Sequence, residues 1–227
     1  MEQLHNGFTL ELSTGAFPLS TDSVVLSDFV RLPKNASVLD LGSGCGTLGL
    51  MLCAKDPGCT VTGVELDPAA HQMALHNAQV NQISHRLTSI CGDLSVVPIT
   101  PGSFSCAVSN PPYFSAGPES KTTPLARRED FCSVDTLMAT AAKALKFGGD
   151  FFLVHRPERL AELCATAGRY HLEAKRMLLL RHKPDTPVNL ICIQFRKGAK
   201  PGLIWDEKTL FHSDGAPTDY YKTLYHL

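Results

Sequence analysis

Val-Leu-Asp-Leu-Gly-Ser-Gly-Cys-Gly, residues 38–46, decides how this chain reads. Apolar residues of strand type run without a spacer into glycines at 42, 44 and 46, and TLGLMLCAK then continues with the character of a helix. In a strand, turn and helix of this kind, glycines let the backbone approach a ligand closely while the helix start offers unpaired N–H groups. A tight turn alone could demand such glycines, and dinucleotide folds use them too.

Working outward, strand-like runs alternate with helix-like segments. SVLDL precedes a helix over about 47–55, TVTGVEL precedes one over 68–81, and RLTSICGD, FSCAVSN and FFLVH are further strands, with a helix over about 131–146 before the last of them. A helix over 157–168 leads to two more strands, AKRMLLLR and VNLICIQF, whose connecting HKPDTP suits a hairpin. The alternation predicts an α/β fold: a mostly parallel seven-stranded sheet with helices on both faces and an antiparallel strand at the edge. Ser20-Thr21-Asp22 is placed to cap a helix running to about Arg31. Residues 1–36 therefore read as a helical segment packed on the core, and 37–227 as the main domain.

With 227 residues and 44% hydrophobic content, the chain can bury a full core without disulfides. Its 8 cysteines show no CxxC pair and no histidine at ligand spacing, so they read as reduced core thiols with no metal. No secretory signal and no apolar run of membrane length is visible, which predicts a cytoplasmic protein without a membrane partner. Net charge is −1, but residues 1–114 carry 4 basic and 9 acidic groups while 115–200 carry 15 and 9. That asymmetry suits a cationic or neutral cofactor in the first half and a polyanion near the second, or it is an ordinary surface fluctuation.

Asp40 stands just before the first glycine, Glu65 closes the second strand where a carboxylate would meet a ribose diol, and Asp93 ends the third. Carboxylates beside the loop are electrostatically awkward for an anionic pyrophosphate. They fit S-adenosylmethionine, which has a ribose, an amino group and a sulfonium but no phosphate. Asp40, Gly42, Gly44, Gly46, Glu65, Asp93 and Asn110 are the candidate cofactor residues.

The fourth strand ends in Ser109-Asn110-Pro111-Pro112-Tyr113-Phe114. In a doubly wound sheet this end lies beside the glycine loop. The lone pair of an exocyclic amine on an aromatic base is delocalised, so the amine is a poor nucleophile. The Asn110 amide oxygen and the Pro111 carbonyl could each accept one amine hydrogen, with Pro111 and Pro112 holding them rigid, while Tyr113 stacks on the base. Asn110, Pro111, Pro112 and Tyr113 are the candidate catalytic residues, and Phe114, Lys121, Arg127 and Arg128 join Tyr113 as candidates for gripping RNA. Arg181, His182, Lys183, Arg196, Lys197 and Lys200 form a second basic group around the hairpin. Trp205, Tyr220, Tyr221 and Tyr225 either stack on bases or pack the tail closed.

VLDLGSGCG, GVELD and SNPPYF in this order resemble the class I Rossmann-like methyltransferases of the amino-methylating group. FPLSTDSVVLSDFV ahead of the loop, the LARRE stretch at 125–129 and DGAPTDYYKTLY near the end make the chain similar to the bacterial tRNA1(Val) adenine-37 N6-methyltransferases. The resemblance implies methylation of adenine N6 in tRNA, with S-adenosylmethionine as cofactor. The same tetrad also serves protein glutamine N5-methyltransferases, rRNA guanine N2-methyltransferases and DNA adenine enzymes. The short N-terminal segment and the lack of room for a recognition domain favour RNA, whose loop bases can be splayed out and stacked. A noncatalytic RNA-binding or cofactor-sensing module is the contrasting reading.

Overall fold

A computed structural model describes residues 2–4, 7–12, 19–111 and 133–225. The short strands β1 (Glu2–Gln3) and β2 (Thr9–Leu10) pair with each other, and α1 (Thr21–Phe29) follows. Next come β3 (Ser37–Leu41), α2 (Thr47–Lys55), β4 (Thr60–Glu65), α3 (Pro68–Val80), β5 (Leu87–Cys91) and β6 (Phe104–Ser109). Beyond position 132 lie α4 (Val134–Ala144), β7 (Leu145–His155), α5 (Leu160–Arg169), β8 (Leu172–Arg181), β9 (Val188–Lys197), β10 (Ile204–Thr209) and α6 (Asp219–Tyr225).

The main sheet has eight strands in the order β10-β8-β9-β7-β6-β3-β4-β5. From β7 to β5 all neighbours are parallel, and β9 runs antiparallel to both β7 and β8. The expected α/β architecture holds, with one strand more than the seven expected. That strand, β10, pairs parallel with β8, so the antiparallel strand lies inside the sheet and β10 takes the edge.

Successive residues of a strand face opposite sides, and the core divides accordingly. Val38, Cys106, Val108, Phe152, Val154 and Cys192 pack on one face with α1, α2 and α6, where Phe29 meets Phe152 edge-on at 6.2 Å. Leu39, Leu41, Ala107, Phe151, Leu153 and Ile193 pack on the other with α4 and α5. Apolar residues on both faces explain why these strands read as near-continuous hydrophobic runs.

At the helix starts, the expected Ser20 cap and Pro68 are joined by caps at Asp67 and Ser133. Ser20 Oγ accepts from Ser23 N–H, Asp67 caps α3 with Pro68 in its first turn, and Ser133 Oγ accepts from Thr136 N–H. α2 differs: Gly46 precedes it at φ 82° with no side-chain cap, so its first N–H groups emerge directly from the glycine loop. Five cysteines, Cys45, Cys53, Cys59, Cys106 and Cys192, are buried, while Cys91 and Cys164 are exposed and Cys132 lies outside the described residues.

The loop after β3 closes against β4 at Gly63, where a Cβ would come within 2.7 Å of Ser43 Cβ and nearer still to Ser43 Oγ. Gly63→Ala should therefore lower unfolding free energy by about 1–3 kcal/mol, read from urea denaturation. Gly63→Ala/Ser43→Gly should recover most of the loss. A single variant as stable as wild type would show that the loop does not seat there.

Candidate active site

β6, β3, β4 and β5 are adjacent and parallel, so their carboxyl ends form one continuous edge. Asn110 follows β6, the glycine loop follows β3, Glu65 ends β4 and Asp93 follows β5. The sequence-derived cofactor residues are thereby brought together. Gly42, Gly44 and Gly46 have φ values of 75°, 54° and 82°, in the region that favours glycine. Open space surrounds the Cβ directions of Gly42 and Gly44, whereas that of Gly46 meets Ala74 at 3.2 Å.

Backbone and carboxylate bonds fix the loop. Gly42 and Ser43 N–H donate to the Val64 carbonyl at 2.9 and 3.1 Å. Glu65 Oε2 accepts from Gly44 N–H at 2.7 Å and Oε1 from Asp67 N–H at 2.8 Å. A carboxylate oxygen has further lone pairs, so Glu65 can hold the loop and still accept from a diol. Asn77 of α3, fully buried, donates to the Cys45 carbonyl at 2.9 Å and to the Glu11 carbonyl at 2.8 Å, and accepts from Glu11 N–H at 2.9 Å.

Asp40 is 1% exposed, and neither of its carboxylate oxygens has a hydrogen-bond partner among the described residues. Burial, with the Glu65 charge adding to it and the nearby Gly49 amide opposing, pushes its pKa up to about 7. Ser43 Oγ is likewise buried and unpartnered. Asp93 is tied down differently: Oδ1 accepts from the N–H and the hydroxyl of Ser95, both at 2.7 Å, so it caps a turn as well as standing at the edge.

Two unsatisfied carboxylate oxygens and an unsatisfied hydroxyl beside an open glycine cradle fit a ligand that brings N–H or O–H donors and positive charge. A pyrophosphate would meet acceptors instead. S-adenosylmethionine suits this donor set.

At the neighbouring strand end, Ser109 Oγ donates to the Leu41 carbonyl at 2.7 Å, tying β6 to β3 where the ladder stops. Asn110 Nδ2 donates to Ser23 Oγ of α1 at 2.9 Å, and Pro111 is buried. His155, which ends β7, accepts from Arg156 N–H at Nδ1, and burial together with the Arg159 charge lowers its pKa to about 4, leaving the ring neutral near pH 7. Pro112, Tyr113, Phe114, Lys121, Arg127 and Arg128 lie outside the described residues.

The second basic group does not form one patch. Arg181, His182 and Lys183 lie at the carboxyl edge, where β8 turns into β9, whereas Arg196, Lys197 and Lys200 lie beyond the other end of the hairpin. Ten-residue strands put roughly 30 Å between them. Arg196 is paired with Asp150 at 2.8 Å, and Lys197 Nζ donates to the Ala142 and Leu145 carbonyls at 2.6 and 2.8 Å. Tyr220, Tyr221 and Tyr225 pack against the core, while Trp205 on β10 is 65% exposed.

Sequence reasoning missed Ser23, Ser43, Gly63 and Asn77. Only Gly63, a glycine inside a strand, carried a local signal of close backbone approach.

Comparisons with known proteins bear on the family and the fold. The family model for the methyltransferase small domain matches residues 20–164. Proteins named tRNA1(Val) (adenine(37)-N6)-methyltransferase are similar over most of the chain. The one from Porphyromonas gingivalis is 30% identical over 200 residues, covering 83% of this chain and 78% of the relative. That from Vibrio parahaemolyticus is 28% identical over 96% of this chain and 91% of its own. Among solved structures, a predicted O-methyltransferase from Agrobacterium tumefaciens has a TM-score of 0.74 at 20% identity, covering 91% of this chain and 96% of that one.

The Asp40 carboxyl generates a pH prediction. With a folded pKa near 7 against an ordinary value of 3.8, the native chain holds a proton the unfolded chain has lost across that window. Unfolding free energy should therefore fall as pH rises from about 4 to 7, by about 1.4 kcal/mol per unit of pKa difference. Comparing urea midpoints at pH 5 and pH 8 without cofactor, Asp40→Asn should lose less than wild type. Equal losses would refute the buried-acid reading.

Proposed function

The chain belongs to the methyltransferase small domain family, and more narrowly to that of the tRNA1(Val) adenine-37 N6-methyltransferases, and we propose that it methylates N6 of adenine 37 in the anticodon loop of tRNA1(Val). The observation that carries this reading is Asn110, placed at the end of β6 beside a glycine loop lined by Asp40 and Glu65. The relatives' names supply the substrate. A tRNA substrate places the protein in the cytoplasm, and among the described residues no helix is long and apolar enough to cross a membrane and no cluster could hold a metal.

S-adenosylmethionine supplies the electrophilic methyl carbon on a sulfonium. Glu65 would accept from its ribose hydroxyls, and Asp40, Asp93 and the loop backbone would receive its remaining donors. Asn110 Oδ1 and the Pro111 carbonyl would each accept one N6 hydrogen of the target base, directing the nitrogen lone pair toward the methyl carbon. Because Asn110 follows a strand and precedes two prolines, these acceptors need little reorganisation as charge develops. As the nitrogen bonds the methyl carbon, the carbon–sulfur bond would break with its electron pair left on sulfur, giving the neutral thioether S-adenosylhomocysteine. The methylated nitrogen is cationic and acidic, so one of the N–H protons held by the Asn110 and Pro111 oxygens leaves the nitrogen for water without a strong base. Tyr113 would stack on the flipped base, a contact worth about 1–3 kcal/mol, with Phe114, Lys121, Arg127 and Arg128 the RNA-facing candidates beyond it.

The experiment offers labelled S-adenosylmethionine with bulk tRNA or with release factor, followed by nucleoside analysis. Label should appear in tRNA as N6-methyladenosine, and label confined to protein would overturn the substrate. Asn110→Ala should reduce transfer at least 100-fold while cofactor affinity stays within about threefold. Unchanged transfer would exclude the amine clamp.

A further inference from the structure

We propose that Ser23, in the first turn of α1, is a positioning residue for Asn110, holding its amide nitrogen so that the amide oxygen faces the target amine. The inference rests on reading Asn110 as the acceptor of amine hydrogens.

A primary amide presents opposite chemistry on its two sides, and a half-turn about χ2 exchanges acceptor for donor. Only one orientation can accept from an amine. Asparagine side chains usually orient themselves locally by bonding the backbone N–H two residues on, but here that residue is Pro112, which has none. Pro111 removes the preceding candidate in the same way. Neither following residue can donate a backbone N–H to the amide oxygen, and across the fold Ser23 Oγ receives Asn110 Nδ2 at 2.9 Å from 87 residues away in the chain.

Ser23 is placed to act as the acceptor. Its side chain is buried, its N–H donates to the Ser20 cap, and its Oγ lies 3.3 Å from Ser20 Oγ. Either hydroxyl of this pair can donate, and the arrangement in which Ser23 gives its proton to Ser20 leaves the Ser23 lone pairs for the asparagine. The helix carrying it is held at both ends. Thr21 Oγ1 and Tyr225 OH lie 3.1 Å apart, and Lys55 Nζ donates to the Ser27, Asp28 and Val30 carbonyls at 3.0, 3.2 and 3.0 Å. Lys55 is the last residue of α2, the helix that begins at the glycine loop, so one rigid frame sets both the cofactor cradle and the Asn110 amide.

The test is a double-mutant cycle on the full chain with tRNA. Ser23→Ala should lower kcat about tenfold, the scale of one hydrogen bond, with KM for tRNA and Kd for S-adenosylmethionine each within twofold. In the Asn110→Ala background, adding Ser23→Ala should change the residual rate by less than twofold. Ser133→Ala, which uncaps α4 on the other face of the sheet, should lower Tm and leave kcat unchanged. Independently of any substrate, NMR should show the Asn110 side-chain amide protons exchanging slowly in wild type and at least tenfold faster in Ser23→Ala. Rapid exchange in wild type, an equal Ser23→Ala effect in both backgrounds, or an unchanged kcat would overturn the proposal. If wild type leaves tRNA unmethylated, the substrate reading fails and the exchange measurement alone decides the Ser23–Asn110 link.

Discussion

The glycine loop can close against β4 only because position 63 carries no side chain. With Ser43 seated there, the loop backbone turns back far enough for Gly42 and Ser43 to bond the Val64 carbonyl and for Gly44 to bond Glu65. Adjacent strands sit about 4.8 Å apart, so a side chain at this crossing would push the loop outward and part the Gly44–Glu65 bond. Glu65 would then keep the Asp67 N–H but lose its tie to the loop. Cofactor geometry thus depends on an absence of atoms two strands from the acceptor site.

Two opposed electrostatic demands meet along this edge. Asp40 is buried with no hydrogen bond to either carboxylate oxygen among the described residues, and its pKa is raised, so its local energy is improved by anything that brings donors and positive charge. The proposed RNA is a polyanion, which such a site repels. The conflict is eased by position: the carboxylates lie at the ends of β3, β4 and β5, while Arg156, Arg181 and Lys183 stand at the ends of β7 and β8 across Asn110. Much of the basic excess in the middle of the sequence lies elsewhere. Arg196 and Lys197 are engaged in structural contacts at the opposite edge, where they secure Asp150 and the end of α4.

How much of this was legible in the sequence depended on how local each signal was. The glycine loop, Glu65, the Ser20 cap, Pro68 at a helix start and the alternation of elements are written within a few residues, and the structure places them along the chain as read, whereas the helix expected from about 131 begins at Val134 behind a Ser133 cap. β10 was missed because IWDEKT is short, mixes one aromatic with three charges and is largely exposed, so it lacks the period-2 apolar pattern that betrays a half-buried strand. The basic cluster misled for the converse reason: residues close in sequence lie at opposite ends of a long hairpin. Ser23 was visible only as a helix-cap neighbour, because its partner is set by tertiary packing.

Those tertiary contacts also change what the first 36 residues are. Asn77 and Asn81 of α3 bond the backbone of Thr9 and Glu11 as a neighbouring strand would, and Asn77 reaches on to the Cys45 carbonyl in the loop. On the other flank, α1 contacts Asn110. Each bond contributes about 0.5–1.5 kcal/mol, and through Asn77 and Ser23 they join the N-terminal residues to the glycine loop and to Asn110. A segment that served only to cover an apolar face would need α1 packed on the sheet and nothing more. Bonds to both the glycine loop and Asn110 would make it part of the walls of the proposed site, which is why a strand-by-strand reading that begins at Ser37 finds the proposed reactive groups but not what aims them.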